Sequence, residues 1–281
     1  MVKMRGHTPK IEGFLKKVCA VKQDEVEKNR SAIPLAALRE EAEAIDPPAG
    51  FLSVMKQSHA DDIGIIAEVK KASPSKGDIR PDLDPAKMAE SYEKGGARAV
   101  SVLTESAYFK GTLEDLKIVC SHTGLPVLRK DFTISAYQIY EAKRWGAASI
   151  LLITTLLSLD QLKDYTSLVR ELGMEPLVEI TSEFEFETAY KAGATVMDIN
   201  NRNLSTLVTD LNVSKRIAAI VPDDVIAVEA SGIVSYDDIQ NSLNAGIFNF
   251  LVGESIVRSP DPVAFIRALR NETGEKTGEK N

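Results

Sequence analysis

Cysteine and histidine are scarce in this 281-residue chain, which has two of the first and three of the second. Cys19 and Cys120 lie far apart, with no CxxC spacing and no histidine-rich company. That excludes a disulfide framework and a zinc site, and it fits a reducing compartment. His7, His59 and His122 are equally solitary, and His122, beside a predicted loop, reads as an ordinary surface residue. The chain has no unbroken apolar run of the ~18 residues that a membrane span needs. Its opening stretch, "MVKMRGHTPKIEGFLKKV", is basic but has no apolar h-region. A cytoplasmic protein with no membrane partner is expected. Basic excess is missing too: Asp and Glu outnumber Lys and Arg by 41 to 34, the formal charge is -7 and the pI is near 5.2. No Lys/Arg run offers the basic face that a phosphate backbone requires, so nucleic acid is not an expected partner.

What is present is the balance of an ordinary globular protein, 44% hydrophobic and 27% charged, enough for one large domain or two small ones. Four segments share a pattern: "GGARAVSVLT", "WGAASILLIT", "AGATVMDIN" and "AGIFNFLVG". In each a glycine closes a helix and a strand follows. The glycines fall at 96, 146, 193 and 246, in steps of 50, 47 and 53 residues. Such steps are too long for one βα unit and right for two. Four more strands fit between them: "IIAEVK" at 65–70, "PVLRK" at 126–130, "EPLVEI" at 175–180 and "VIAVEA" at 225–230. Near-continuous apolar strands alternating with helical spacings, as in "PAKMAESYEKGG" and "SAYQIYEAKRWG", imply a parallel sheet. Eight such units predict a single (β/α)8 barrel over 51–270. Residues 1–50 hold two helical stretches stopped by Pro47-Pro48, a cap across one barrel end. The polar repeat "NETGEKTGEKN" at 271–281 is expected to be disordered.

In such barrels side chains alternate inward and outward, and sites form at the C-terminal strand ends. Parity then sorts the charged residues. Glu68 and Lys70 share the parity of Ile66 and point inward on the first strand; Lys130 takes that position on the third and Glu179 on the fifth. The sixth ends in Asn200-Asn201-Arg202 and the seventh in Ser231-Gly232. Charged residues at strand ends are ordinarily just solvated, but several strands converging on one mouth make an acid–base site with no metal ligands. For Lys71, Arg129, Asp131 and Glu229, of opposite parity, the ordinary reading stands: they should face helices or loops. Glycine turns at "ASGI" and "LVGES", with a short helix beginning at Glu254-Ser255, form a candidate phosphate nest on the last two strands.

These stretches resemble indole-3-glycerol-phosphate synthase of tryptophan biosynthesis. The matching segments are "AEVKKASPSKG", "SVLTESAYFKG", "LRKDF", "EPLVEI", "INNRNL", "ASGI" and "FLVGES", in order over about residues 51 to 270. The resemblance implies a carboxy-lyase that converts a carboxyphenylamino-deoxyribulose phosphate to indole-glycerol phosphate, losing CO2 and water without cofactor or metal. It makes Lys130 the general acid of ring closure, and Lys70 and Glu179 the acid and base of the later dehydration. Glu68 and Asn200 would orient these groups, and Arg202 would serve near the anthranilate carboxylate. Phe109 and Phe132 would wall the aromatic ring. Ser73, Ser231, Gly232, Gly253 and Glu254 would form the sugar-phosphate end. The capping helix is expected at the substrate end, and the chain is expected to act as a monomer. Crowding of Lys70 against Lys130 is expected to lower the pKa of the acid, against the pull of nearby carboxylates.

The chain departs from that pattern in three places. Ala230 stands where a Glu is usual, Asp198 where a Gly is usual, and Asn203 where an Asp is usual. Other readings are a different sugar-phosphate barrel enzyme, such as an isomerase or aldolase-type lyase, and a non-catalytic phosphate-binding scaffold. The paired lysines, and a sixth strand that ends in Asn in place of a Schiff-base lysine, weigh against the first. A complete catalytic set weighs against the second, while Ala230 favours it.

Overall fold

Each of the four pacing glycines ends a helix in the left-handed region: Gly96 at φ 84°, Gly146 at 87°, Gly193 at 83° and Gly246 at 82°. At each, two backbone N–H groups turn back to orphan helix carbonyls, as from Gly96 to Glu93 and from Ala97 to Tyr92. A Cβ would make that turn costly, so glycine stops each helix and aims the chain into the next strand.

The computed structural model describes residues 12–46, 48, 50–203 and 206–272. Its eight parallel strands are β1 (Gly64–Val69), β2 (Ala99–Leu103), β3 (Val127–Lys130), β4 (Ser149–Ile153), β5 (Glu175–Ile180), β6 (Val196–Asn200), β7 (Ile226–Ala230) and β8 (Asn249–Val252). They form a closed barrel in chain order, with β8 returning to pair with β1 through Gly64↔Asn249 to Ala67↔Val252. Helices α4 (Pro85–Lys94), α5 (Leu113–His122), α6 (Ala136–Arg144), α7 (Leu159–Glu171), α8 (Glu183–Lys191), α9 (Asn212–Ala218) and α10 (Tyr236–Leu243) connect successive strands, and α11 (Glu254–Arg258) and α12 (Pro262–Leu269) follow β8. This is the (β/α)8 barrel that the spacing predicts. Thr112, Ser135 and Ser158 cap α5, α6 and α7, each in a reciprocal capping box. Such caps contribute about 1 kcal/mol apiece and fix where each loop from the mouth enters its helix.

Among the described residues three helices precede the barrel: α1 (Gly13–Ala32), α2 (Leu35–Glu43) and α3 (Phe51–Lys56). They serve different ends. Phe14 of α1 reaches the C-terminal mouth, where a ring against Tyr108 and Phe132 seats it, with centroids 4.9 and 6.1 Å away. α2 packs along α6 on the outside of the barrel. α3, which has no counterpart in the sequence expectations, closes the opposite end, where Asn249 Nδ2 donates to the Met55 carbonyl at 3.3 Å. The expected polar tail from 271 falls, from residue 273 on, outside the described residues, as does His7. Among the described residues no helix is long and apolar enough to cross a membrane.

Candidate active site

The mouth of the barrel opens into a cavity of about 500 Å³. The residues assigned site roles line it: Glu68, Lys70, Ser73, Phe109, Lys130, Phe132, Glu179, Asn200, Arg202, Ser231, Gly232, Gly253 and Glu254, while Asn201 does not. They come from seven of the eight strands and the loops after them. The barrel brings them together because alternate residues of every strand must point inward, and only the last inward layer meets solvent.

Two lysines anchor the charge pattern. Lys70 Nζ, one residue past the end of β1, lies 2.7 Å from Oε1 of Glu68 on that strand. Lys130 Nζ donates across the barrel to Glu179 Oε2 at 3.2 Å and to Asp198 Oδ2 at 3.3 Å. Burial pulls the Lys130 pKa down, but Glu179, Asp198 and Glu68 outweigh it and hold the ammonium above the ordinary lysine range. This reverses the expectation that crowding by Lys70 lowers it: Lys70 is engaged by Glu68, and the near neighbours of Lys130 are carboxylates.

Gly253 makes the Glu68–Lys70 pair possible. A Cβ there would fall 2.3 Å from Glu68 Oε1 and 2.9 Å from Lys70 Nζ, so any larger residue at the start of α11 would displace the pair. On the neighbouring strand Ser231 takes a left-handed φ of 72° and Gly232 one of 94°. Left-handed backbone at a non-glycine residue is strain that its surroundings must sustain. Here the Ser231 hydroxyl donates to Asn200 Oδ1 at 2.8 Å, and the Arg202 N–H donates to the same oxygen at 3.0 Å. Asn200 is thereby held with its carboxamide oxygen turned toward its own loop. Arg202 reaches back across the mouth to the Ser75 hydroxyl at 3.1 Å. Ser73 lies in the short antiparallel pair Ala72–Ser73 with Gly77–Asp78, and its hydroxyl is buried without a hydrogen-bond partner.

The aromatic side is built from separate elements. Phe109 and Phe132 stand 6.2 Å apart, centroid to centroid, and Phe14 joins them from α1. The loop bearing Phe109 is shaped by the buried Glu105, whose carboxylate accepts the N–H groups of Ala107, Tyr108 and Phe109 at 2.9, 2.7 and 3.0 Å. Sequence reasoning missed Phe14 and Glu105. Nothing in a helix start marks Phe14, whereas Glu105, at the end of β2 in "LTESAYF", carried a readable signal.

Lys71, Arg129 and Glu229 face helices and loops as expected, though held in ion pairs and hydrogen bonds with only Lys71 partly exposed, whereas Asp131, buried in the same way, departs from the expectation by also meeting the cavity. Lys71 pairs with Asp115 at 2.7 Å, and Glu229 accepts from Asn201 and Ser214 at 2.8 Å each. Arg129 bridges Asp131 and Glu141 at 3.1 and 3.2 Å. Asp131 also accepts from Thr104 at 2.7 Å, pairs with Lys22 of α1 at 2.9 Å and borders the cavity. Burial pushes its carboxyl up, but Lys22 and Arg129 hold it below the usual range. Among the described residues no cluster of His, Cys, Asp and Glu is arranged to hold a metal. Chemically, the mouth offers an ammonium set between carboxylates, a second ion pair, an aromatic wall and glycine turns suited to an anion.

Comparison with known proteins gives one answer for the sequence. The family model of indole-3-glycerol phosphate synthase matches residues 15–269. The indole-3-glycerol phosphate synthase of Desulfosudis oleivorans is 46% identical over 257 residues, covering 91% of this chain and 98% of that protein. That of Carboxydothermus hydrogenoformans is 44% identical over 261 residues, covering 91% and 99%. Among solved structures, thiamine phosphate pyrophosphorylase from Pyrococcus furiosus matches with a TM-score of 0.58 at 15% identity, over 75% of this chain and 95% of that one. That likeness concerns the fold alone.

Proposed function

The chain belongs to the indole-3-glycerol phosphate synthase family, and from that premise we propose how its mouth divides the proton transfers of the reaction. Membership makes it a carboxy-lyase of tryptophan biosynthesis. The substrate in this reading is 1-(2-carboxyphenylamino)-1-deoxyribulose 5-phosphate.

Lys130 is the general acid. As the aromatic carbon bearing the carboxylate attacks the ketone carbon, the ketone oxygen gains negative charge, and the ammonium gives it a proton. Carbon dioxide then leaves and restores the electrons of the ring. The new hydroxyl departs as water in a second step, with Lys70 donating the proton and Glu179 removing one from the substrate. Glu68 holds Lys70 through their 2.7 Å pair, and Asn200 orders the neighbouring loop. Arg202 receives the anthranilate carboxylate. Phe109 and Phe132 flank the ring, with Phe14 closing that side from α1. Ser73, Ser231, Gly232, Gly253 and Glu254 form the phosphate end, where the free Ser73 hydroxyl and the first turn of α11 supply donors. Of the segment expected to cap the barrel, α1 serves as the cap at the substrate end, and the protein works as a cytoplasmic monomer without nucleic-acid or membrane partners.

The observation that carries this reading is Lys130, whose ammonium stands at the cavity wall 3.2 Å from Glu179. A protonated donor and a carboxylate base thus sit within one hydrogen bond of each other, the spacing that consecutive acid and base steps need. Incubating the protein with the carboxyphenylamino-deoxyribulose phosphate should produce indole fluorescence together with released CO2. Neither signal appearing would refute the assignment.

A further inference from the structure

Lys130 has a second carboxylate that the steps above do not use. Glu179 and Asp198 are register partners on β5 and β6, so their side chains enter the barrel side by side, and both accept from the Lys130 ammonium. Asp198 has no solvent exposure and no place in the cavity wall. It lies under Lys130, not beside the substrate. Each of the two acids also leaves one oxygen, Glu179 Oε1 and Asp198 Oδ1, buried without a hydrogen-bond partner. Buried polar atoms are seldom left so, and a proton carried by one of the acids would supply a donor where both lack one.

The groups around Asp198 are Lys130 from β3, Glu179 from β5 and Glu68 from β1, the last already paired with Lys70. β7 brings only the uncharged Val228 and, beside Asn200, Ala230. Burial pushes the Asp198 carboxyl up, Lys130 pulls it back, and Glu179 and Glu68 push it up again, to about 7.

We propose that Asp198 is a positioning residue for this reaction: it anchors the Lys130 ammonium from below and, by holding or releasing its own proton, sets how tightly that ammonium keeps the proton it must donate. The proposal rests on Lys130 being the acid. With Asp198 neutral, the ammonium faces one ionised carboxylate at hydrogen-bond distance and gives up its proton more readily. With Asp198 ionised it faces two, and a second counter-ion tightens its hold. Turnover should therefore fall as pH rises through the titration of Asp198.

The test follows kcat and KM against pH, and the carboxylic C=O stretch by infrared difference spectroscopy. It uses the unaltered protein, Asp198→Asn, Asp198→Gly, and Asp198→Gly combined with Ala230→Glu. In Asp198→Asn the alkaline fall in kcat should move to higher pH, while KM changes by less than about twofold, because the substrate does not touch residue 198. Asp198→Gly should lower kcat roughly tenfold through a looser ammonium. Ala230 lines the same mouth, so a carboxylate returned there should recover more than about twofold in kcat over Asp198→Gly alone. The unaltered protein should show a carboxylic band that fades through neutral pH and is missing in Asp198→Asn. An unshifted pH profile in Asp198→Asn, a double variant that regains no kcat over Asp198→Gly, or a carboxylic band unaffected by Asp198→Asn overturns the proposal. Absence of turnover in the unaltered protein refutes the reading of the reaction instead, and the infrared band then decides on Asp198. Should Asp198→Gly fail to fold, the Asn variant and the band decide.

Discussion

An acid catalyst is useful only if it carries its proton when the substrate arrives, and Lys130 is held so by Glu179, Asp198 and Glu68. The same carboxylates make it a reluctant donor, so the drive for transfer must come from the charge that develops on the ketone oxygen. That charge forms beside a partly desolvated ammonium, where its attraction is much stronger than in water. Lys130→Ala should lower kcat by roughly 100-fold or more, the usual worth of a positioned proton donor, with the far-ultraviolet circular dichroism unchanged. A near-normal kcat would remove Lys130 from the mechanism. The position of Lys130 is legible in the sequence because strand alternation fixes it. The direction of its pKa shift is not, because that depends on carboxylates 49 and 68 residues away that only barrel closure brings near.

Among the elements, α1 is tied to the catalytic side of the barrel by a buried ion pair. Lys22 is 2% exposed and pairs at 2.9 Å with Asp131, next to the catalytic strand end. Burial lowers the Lys22 pKa, but Asp131 and Glu25 more than restore it, and Asp131 is held below the usual carboxylate range. The signs give a window. The Asp131 contribution is full above its unfolded pKa of about 3.9 and is lost as pH falls through its lower folded value; that of Lys22 is full below about 10.4 and is lost at higher pH. Lys22→Met at pH 7 should cost about 3 kcal/mol, the low end for breaking a buried pair, because Arg129 stays with Asp131. The deficit should shrink below about pH 4, as measured by chemical denaturation. KM should rise more than kcat falls, since Phe14 is carried on the loosened helix. A Lys22→Met protein as stable as the original at pH 7 would contradict the tether. The helix ends at Gly96, Gly146, Gly193 and Gly246 are legible because left-handed backbone calls for glycine. α3 escapes notice because its six residues are too few to show helical periodicity and Gly50 offers no side-chain cap.

At the scale of the whole molecule, closing eight strands and laying α1 beside them makes a single mouth from residues spread between positions 14 and 258. The fold is legible because the repeat paces it, and most of the mouth because parity and resemblance agree. The Asp198–Lys130 pair is legible in part, because the alternation that turns Asn200 inward turns Asp198 inward as well, whereas Phe14 over the rings is written in distances that no spacing rule encodes. The account assigns successive steps to different strand ends, with ring closure at Lys130 and dehydration at Glu179. Single-turnover rapid quench with Glu179→Gln tests that division most directly. An intermediate that has closed its ring and lost CO2 but retains its hydroxyl should accumulate, because dehydration slows far more than ring closure. Equal slowing of ring closure and dehydration, with no such intermediate, would contradict it.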